Sequence, residues 1–513
     1  MALFFIAPVN ARAAASGVEA FNVLDYGAHR DGSASSTKAF QRAILAAKAA
    51  GGGTIYVPAG KYISGPIELF SNMTLDVGAG ATIEFPVAPL PLVQGRYLGV
   101  DALVPAPLIG GADVENVTLT GRGTLVTADY AAWGKAYGPA PRPDASGNAN
   151  GPLWQKLLDK LEEHQPVPRA EYRAAAAELR PSFICFTRAK NVLIENLRIE
   201  GGPMFIVHLL YSENATVRNL IVHSYPGPHT NGIVADSSRF VRIFNDYIDT
   251  GDDGIVVKSG KDADGLRVNL PSEDIAIANC TVHRAHGAVV IGSETSGSIR
   301  NVVASNIAAV DTENGIRIKS RRGRGGIVED VRFDNWTMED VGTGIVVNSY
   351  YVMGGEGQTR PEPVSQRTPV FRNIAISNIS IRSAKKAVAD IEGLPEMPIR
   401  SLWLQGIVGS GATGLFATNT DDLELHDVAI TAQRGPAFTI AGSANLELDD
   451  ITSPKPVAGQ PVIRLTRCPG AILRNSRIFA GSGVFLAADP GEFRTMHLEG
   501  NIPADTLPAA AKR

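Results

Sequence analysis

The chain has 513 residues and a net charge of −4, and it is 44% hydrophobic but only 19% charged. That balance excludes a disordered chain, which combines few apolar residues with high net charge, and it gives no global sign of nucleic-acid binding. Glycine is abundant, 53 residues or about 10% against a usual ~7%, but without the three-residue period of collagen.

At ~150 residues per domain, length alone predicts three domains. The three cysteines, Cys185, Cys280 and Cys468, are odd in number and far apart, so they build no disulfide framework and match no zinc spacing. They read as buried thiols. No apolar run approaches the ~18 residues of a membrane span.

In chain order, an apolar stretch at 2–9 leads into Ala11-Arg12-Ala13. Residues 1–16 read as the remnant of a secretory signal lacking its basic start, which predicts a periplasmic or secreted protein. Ser36-Thr37 then opens a helical pattern that Gly51-Gly52-Gly53 stops. This predicts a capped helix over about 36–50, with Phe40, Ile44 and Ala47 on the face that plugs a solenoid end. Residues 128–181 break the later repeat with a Pro-rich stretch (139–152) and helical patterns at 154–163 and 170–179. Such an insertion either shapes a binding face or is a solvated excursion.

The repeat itself is short. Alternating apolar positions lead to a small polar residue at Asn196, Asn219, Asn245, Asn279, Asn306, Asn335, Asn378, Gly406, Asp427, Asp450 and Asn475, in steps of 21 to 43 residues. A floor near 21–25 residues with longer excursions is too short for propeller blades of ~40–50 residues, and it suits one turn of a parallel β-helix with loop insertions. Stacked asparagines ~4.8 Å apart can hydrogen-bond from coil to coil. The reading replaces three domains by one all-β solenoid over 17–505, a single-stranded parallel β-helix with an N-terminal helical cap, and a flexible tail at 506–513.

A second register ends each coil in Gly plus an apolar strand: Asn231-Gly232, Asp253-Gly254, His286-Gly287, Asn314-Gly315 and Thr343-Gly344. It predicts a column of Asn231, Asp253 and His286. Gly251 and Gly254 flank Asp252-Asp253 and permit a kink that aims both carboxylates into one cleft. Arg317-Ile318-Lys319 places its two cations on one face, and the Arg321, Arg322 and Arg324 that follow read either as a basic patch for an anionic substrate or as a solvated loop. Paired carboxylates beside cations suit hydrolysis of an anionic sugar polymer, one acid and one base.

These residues resemble the polygalacturonase family, glycoside hydrolase family 28, among the right-handed pectin-acting β-helices. The resemblance is carried by the stretch from Asp249-Thr250-Gly251-Asp252-Asp253-Gly254 to Lys258-Ser259-Gly260, by His286-Gly287 and by Arg317-Ile318-Lys319. It implies an inverting hydrolase of pectic, galacturonate-containing glycans, with Asp252 as general acid and Asp253 activating water. His286 would support the acid. Asn231, Lys258, Arg317 and Lys319 would bind substrate, with no metal or cofactor. The implied partner is an acidic polysaccharide or oligosaccharide, not nucleic acid or membrane, and a monomer is expected. One motif departs: His229-Thr230-Asn231-Gly232 stands where the family has Asn-Thr-Asp-Gly, so an amide replaces a carboxylate. A uronic-acid-binding β-helix without strong activity and a lyase on the same scaffold remain alternatives. Exo or endo action stays open; the 128–181 insertion and the 350–369 excursion are large enough to close one end of a cleft.

Overall fold

A computed structural model describes residues 19–137, 151–163, 165–351, 360–477, 479 and 484–502. Residues 1–16, the tail at 506–513 and most of the Pro-rich stretch lie outside the described residues. Among the described residues thirty-five strands form one sheet of parallel pairs in which each coil bonds to the next. The chain is a parallel β-helix, as the repeat predicts. One apolar core runs through it, from Phe21 to Leu486.

The polar position of the repeat has a backbone cause. Asn196, Asn219, Asn245, Asn279, Asn306, Asn335, Asn378, Gly406, Asp427, Asp450 and Asn475 all have φ between 52° and 62°. Glycine, Asn and Asp take this left-handed region at least cost. The amides then bond along the column, Asn306 Nδ2 to Asn279 Oδ1 at 3.0 Å and Asn335 Nδ2 to Asn306 Oδ1 at 2.7 Å. A second ladder, absent from the sequence reading, joins Asn72, Asn116, Asn191 and Asn214 at 2.7–2.9 Å. Its residues also have positive φ.

Helix α1 (Thr37–Ala49) buries Phe40, Ile44 and Ala47 at the start of the core. Ser36 does not cap it. Its hydroxyl instead accepts from His29 N at 2.9 Å.

The site is positioned by one column of strands. A hairpin, β1 (Leu92–Tyr97) and β2 (Val100–Pro105), precedes them. Then come β3 (Ile184–Thr187), β4 (Val207–Leu210), β5 (Ile233–Asp236), β6 (Ile255–Lys258), β7 (Val289–Gly292), β8 (Asn314–Lys319) and β9 (Thr343–Asn348). Ile184, Val207, Ile233, Ile255, Val289, Ile316 and Ile345 stack inward in register. The outer face alternates with them, as a pleat requires.

That outer face is apolar at Val234, Val256 and Val290. Over it pack Tyr97 and Val100 of the hairpin, Trp154 and Leu157 of α2 (Pro152–Glu162), and Ala175 of α3 (Arg169–Ala175). The described part of the insertion is thus a second layer with its own core, not a solvated excursion. One coil further, the same column changes from Val290 to Arg317, where the apolar cover ends.

The asparagine ladder yields a stability prediction. Asn306→Ala should cost about 1–3 kcal/mol, from left-handed strain and two lost amide contacts. Asn306→Gly should cost distinctly less in the same denaturant titration. Equal losses would show that backbone conformation is not what selects Asn there.

Candidate active site

Asp252 and Asp253 occupy the turn entering β6. The glycines around them serve close approach rather than a special φ. A Cβ on Gly251 would lie 2.1 Å from Gly227 N, and one on Gly254 would lie 2.5 Å from Val282 Cγ1. The turn is held from below by Ser224 Oγ, which donates to Thr250 Oγ1 at 2.9 Å, and by Thr230 Oγ1, which donates to Gly227 O at 2.6 Å.

The predicted column is displaced by one residue. Ile255 pairs with Val289, and His286 N donates to Asp252 O at 3.0 Å. His286 therefore stacks on Asp252, not on Asp253. Its Nδ1 lies 3.4 Å from Asp252 Oδ1, and its Nε2 lies 3.8 Å from Glu313 Oε1. Asn231 does align with Asp253, since Gly232 N donates to Asp253 O at 3.0 Å.

The two carboxylates meet different partners. Asp253 is 1% exposed and accepts from Lys319 Nζ at 2.9 Å, with Arg317 Nη1 3.9 Å from its other oxygen. Asp252 faces two imidazoles. His229, which the sequence reading passed over, donates its backbone N–H to Asp252 Oδ2 at 2.9 Å and places Nδ1 3.7 Å away.

Electrostatics separates the two imidazoles. Burial pushes Asp252 up, but the His286 hydrogen bond, with the charges of His286, His229 and Lys319, brings it below the usual carboxylate range. Its hydrogen bond in turn raises His286, against an opposing desolvation and with help from Asp252, Asp253 and Glu313. Asp252 and His286 hold one proton as a pair. His229 is pushed down to about 4 by burial, which Asp252 counters only in part. It stays neutral.

The remaining predicted residues divide. Lys258 is buried, and its Nζ donates to Glu294 Oε2 at 2.6 Å. Burial opposes both charges, yet their attraction wins, raising Lys258 and lowering Glu294. The Lys258 and Lys319 ammonium groups are thus committed to protein carboxylates. Arg317 keeps a partly exposed guanidinium, 5.5 Å from the Tyr351 ring. Asn231 is 2% exposed and its Nδ2 has no hydrogen-bond partner. The arginines after β8 are not a solvated loop. Arg324 Nη1 pairs with Asp262 at 2.5 Å and Arg322 Nε with Glu396 at 2.6 Å, both arginine side chains being under a tenth exposed.

His426, Glu447 and Asp449 form the one metal-type cluster among the described residues, on later coils. Arg474 already pairs with both of its carboxylates. Cys280 and Cys468 are buried, Cys185 is partly exposed, and all three are free thiols. Among the described residues no helix is long and apolar enough to cross a membrane.

A parallel β-helix with adjacent carboxylates, one set among cations and one sharing a proton with an imidazole, has the parts of a glycoside hydrolase. Comparison with known proteins agrees. Residues 170–391 match the model for glycosyl hydrolases family 28, and residues 20–86 match that for rhamnogalacturonase A/epimerase, pectate lyase-like. A probable polygalacturonase of Vitis vinifera is 29% identical over 75% of this chain and 73% of its own. An exo-poly-α-D-galacturonosidase of Dickeya chrysanthemi is 26% identical over 78% and 69%. The crystal structure of a hyperthermoactive exopolygalacturonase from Thermotoga maritima superposes with a TM-score of 0.67 at 32% identity, covering 80% of this chain and 88% of that one. The chain belongs to glycosyl hydrolases family 28. It is a glycosidase.

The opposed imidazoles can be read directly. In imidazole NMR between about pH 5 and pH 8, His229 should stay neutral while His286 titrates above its ordinary 6.5. Asp252→Asn should bring the His286 midpoint down, because the carboxylate that favours the imidazolium is gone. An unmoved midpoint would dissolve the pair.

Proposed function

We propose that this protein hydrolyses pectic galacturonan or its oligomers by single inversion, releasing sugars from a chain end. The observation that carries the reading is the difference between adjacent carboxylates: Asp253 meets Lys319 and Arg317, whereas Asp252 meets His286 and His229. Asp252 is ionised at rest, and the proton held by the raised His286 passes through it to the leaving oxygen. Asp253, presented as a carboxylate, takes a proton from the attacking water. Asp253 Oδ1 and Asn231 Nδ2 are both buried without a hydrogen-bond partner, and they lie on neighbouring coils. A water donating to the first and accepting from the second would be held for attack. Asn231 orients that water but takes no proton.

Arg317 is the cation left to face a galacturonate carboxylate, in the two-pronged geometry of a guanidinium. Similarity to polygalacturonases and to enzymes named exopolygalacturonase and exo-galacturonosidase supports the substrate and the end-wise action. The hairpin and α2, packed over β5–β7, support a cleft walled on one side. Export to the periplasm or exterior follows from the polymeric substrate.

Incubation with polygalacturonate should give new reducing ends without ultraviolet-absorbing unsaturated ends, and viscosity should fall slowly relative to product release. Unsaturated ends would indicate a lyase; binding without either product would indicate a glycan-binding protein. Asp252→Asn should lower kcat at least ~10²-fold, the scale of a lost general acid. The alkaline limb of kcat/KM should fall above pH 6.5, because the raised His286 holds the shared proton to higher pH than a free imidazole. A limb at or below 6.5 would remove the pair from the proton transfer.

Asn231→Asp tests the departure from the family motif. If proton acceptance limits the rate, the second carboxylate should raise kcat. An unchanged or lower rate would leave Asp253 as a sufficient base.

A further inference from the structure

The outer column of the site strands continues back beyond Val234. Across the ladder Val234 pairs with His208, His208 with Cys185, and Cys185 with Gly110. Gly110 has no side chain to cover the thiol, and the coil before it presents Glu68. A cavity of about 480 Å³ fills this opening, bounded by Phe40, Ile44 and Leu45 of α1, by Ile67 and Phe70, and by Val93 of the hairpin. Glu68 is its one charged wall residue among the described residues. Cys185 stands in the wall and also lines a smaller space, of about 30 Å³, that reaches His208.

Of the three thiols only Cys185 escapes full burial. Its neighbour His208 is 1% exposed, and His208 Nε2 finds no hydrogen-bond partner among the described residues. Asp236 Oδ2 lies 3.5 Å from that nitrogen, while Asp236 Oδ1 accepts from Arg96 Nη1 at 2.6 Å. Burial opposes charge on the imidazole, yet the Cys185 sulfur and Asp236 overcome it and raise His208 to about 9. The ring is thus an imidazolium at neutral pH, with a thiol on one side and a carboxylate on the other. The thiolate is the attacking form of a cysteine, and reactive cysteines stand beside such cations.

We infer that Cys185 is a nucleophilic thiol with His208 as its proton partner, and that the cavity takes an apolar Michael acceptor of the quinone or maleimide class. The sulfur adds to the β-carbon of the activated double bond. A C–S bond forms as the π bond breaks, and its electron pair moves onto the conjugated carbonyl. The proton that His208 took from the thiol completes the adduct, so the addition needs no oxidant. The site stands three coils from the catalytic turn, and it does not rest on the galacturonan reading.

The test labels the full native chain with N-phenylmaleimide near neutral pH and locates the adduct by peptide mass spectrometry. Cys185 should react at least about tenfold faster than glutathione, while Cys280 and Cys468 stay unlabelled. Its preference for N-phenylmaleimide over iodoacetamide should exceed that of glutathione, because only the larger reagent fills the apolar space. His208→Gln should slow labelling of Cys185 about tenfold, with the two buried thiols still protected. A rate no greater than that of glutathione, an unchanged rate in the variant, or the reagent preference of a free thiol would overturn the inference. Labelling of all three thiols in His208→Gln would report unfolding, and the two comparisons with glutathione on the parent protein would then decide alone.

Discussion

Everything in this molecule depends on the in-register backbone hydrogen bonding between successive coils. Alternate residues of each strand donate to and accept from the coils on its two sides, so a residue's neighbour across the ladder is fixed by counting from a paired position. Ile255 opposite Val289 places Asp252 against His286. A slip of one residue would put the imidazole on Asp253, beside Lys319, where it would have no proton to share. Because side chains alternate faces with period two, such a slip would also turn the core column outward. Burial of the core thus enforces the chemistry of the face.

On that scaffold, function is a matter of how charges are partnered. Lys258 with Glu294 and Lys319 with Asp253 are buried pairs, so their cations complete the protein's own network. Such pairs offset desolvation only with good geometry, and removing one partner is expensive. The guanidinium of Arg317, partly exposed and only loosely paired with Asp253 at 3.9 Å, is the charge that carries the reading of substrate.

Much of this was legible in the sequence. The spacing of Asn196 to Asn475 marked the coil and its residue type suggested the amide ladder, whereas the left-handed backbone angle behind that residue type became visible only in the structure. The alternation Ile316-Arg317-Ile318-Lys319 marked a strand with one polar face. The second layer was legible too but passed over: Ile233-Val234-Ala235, Ile255-Val256-Val257 and Val289-Val290-Ile291 are continuous apolar runs, the signature of strands covered on both faces. Partners of charged groups were not legible. Lys258 and Glu294 are 36 residues apart, and nothing local distinguishes a lysine bound to a carboxylate from one open to a ligand. His229 was hidden differently, since it acts on Asp252 through its backbone N–H as well as its ring, and a backbone contact leaves no mark on residue type.

The unequal coils have an evolutionary consequence. Between equivalent turn residues the chain spends 21 residues from Gly406 to Asp427 but 43 from Asn335 to Asn378, and across the longer step the strands stay in pairing register. Insertions are absorbed in loops at the rim and leave the ladder untouched. The cleft can therefore be rebuilt, one loop at a time, around carboxylates that stay where they are. New glycan specificities are within reach of small loop insertions, whereas a single-residue deletion inside β6 would be lethal to the site.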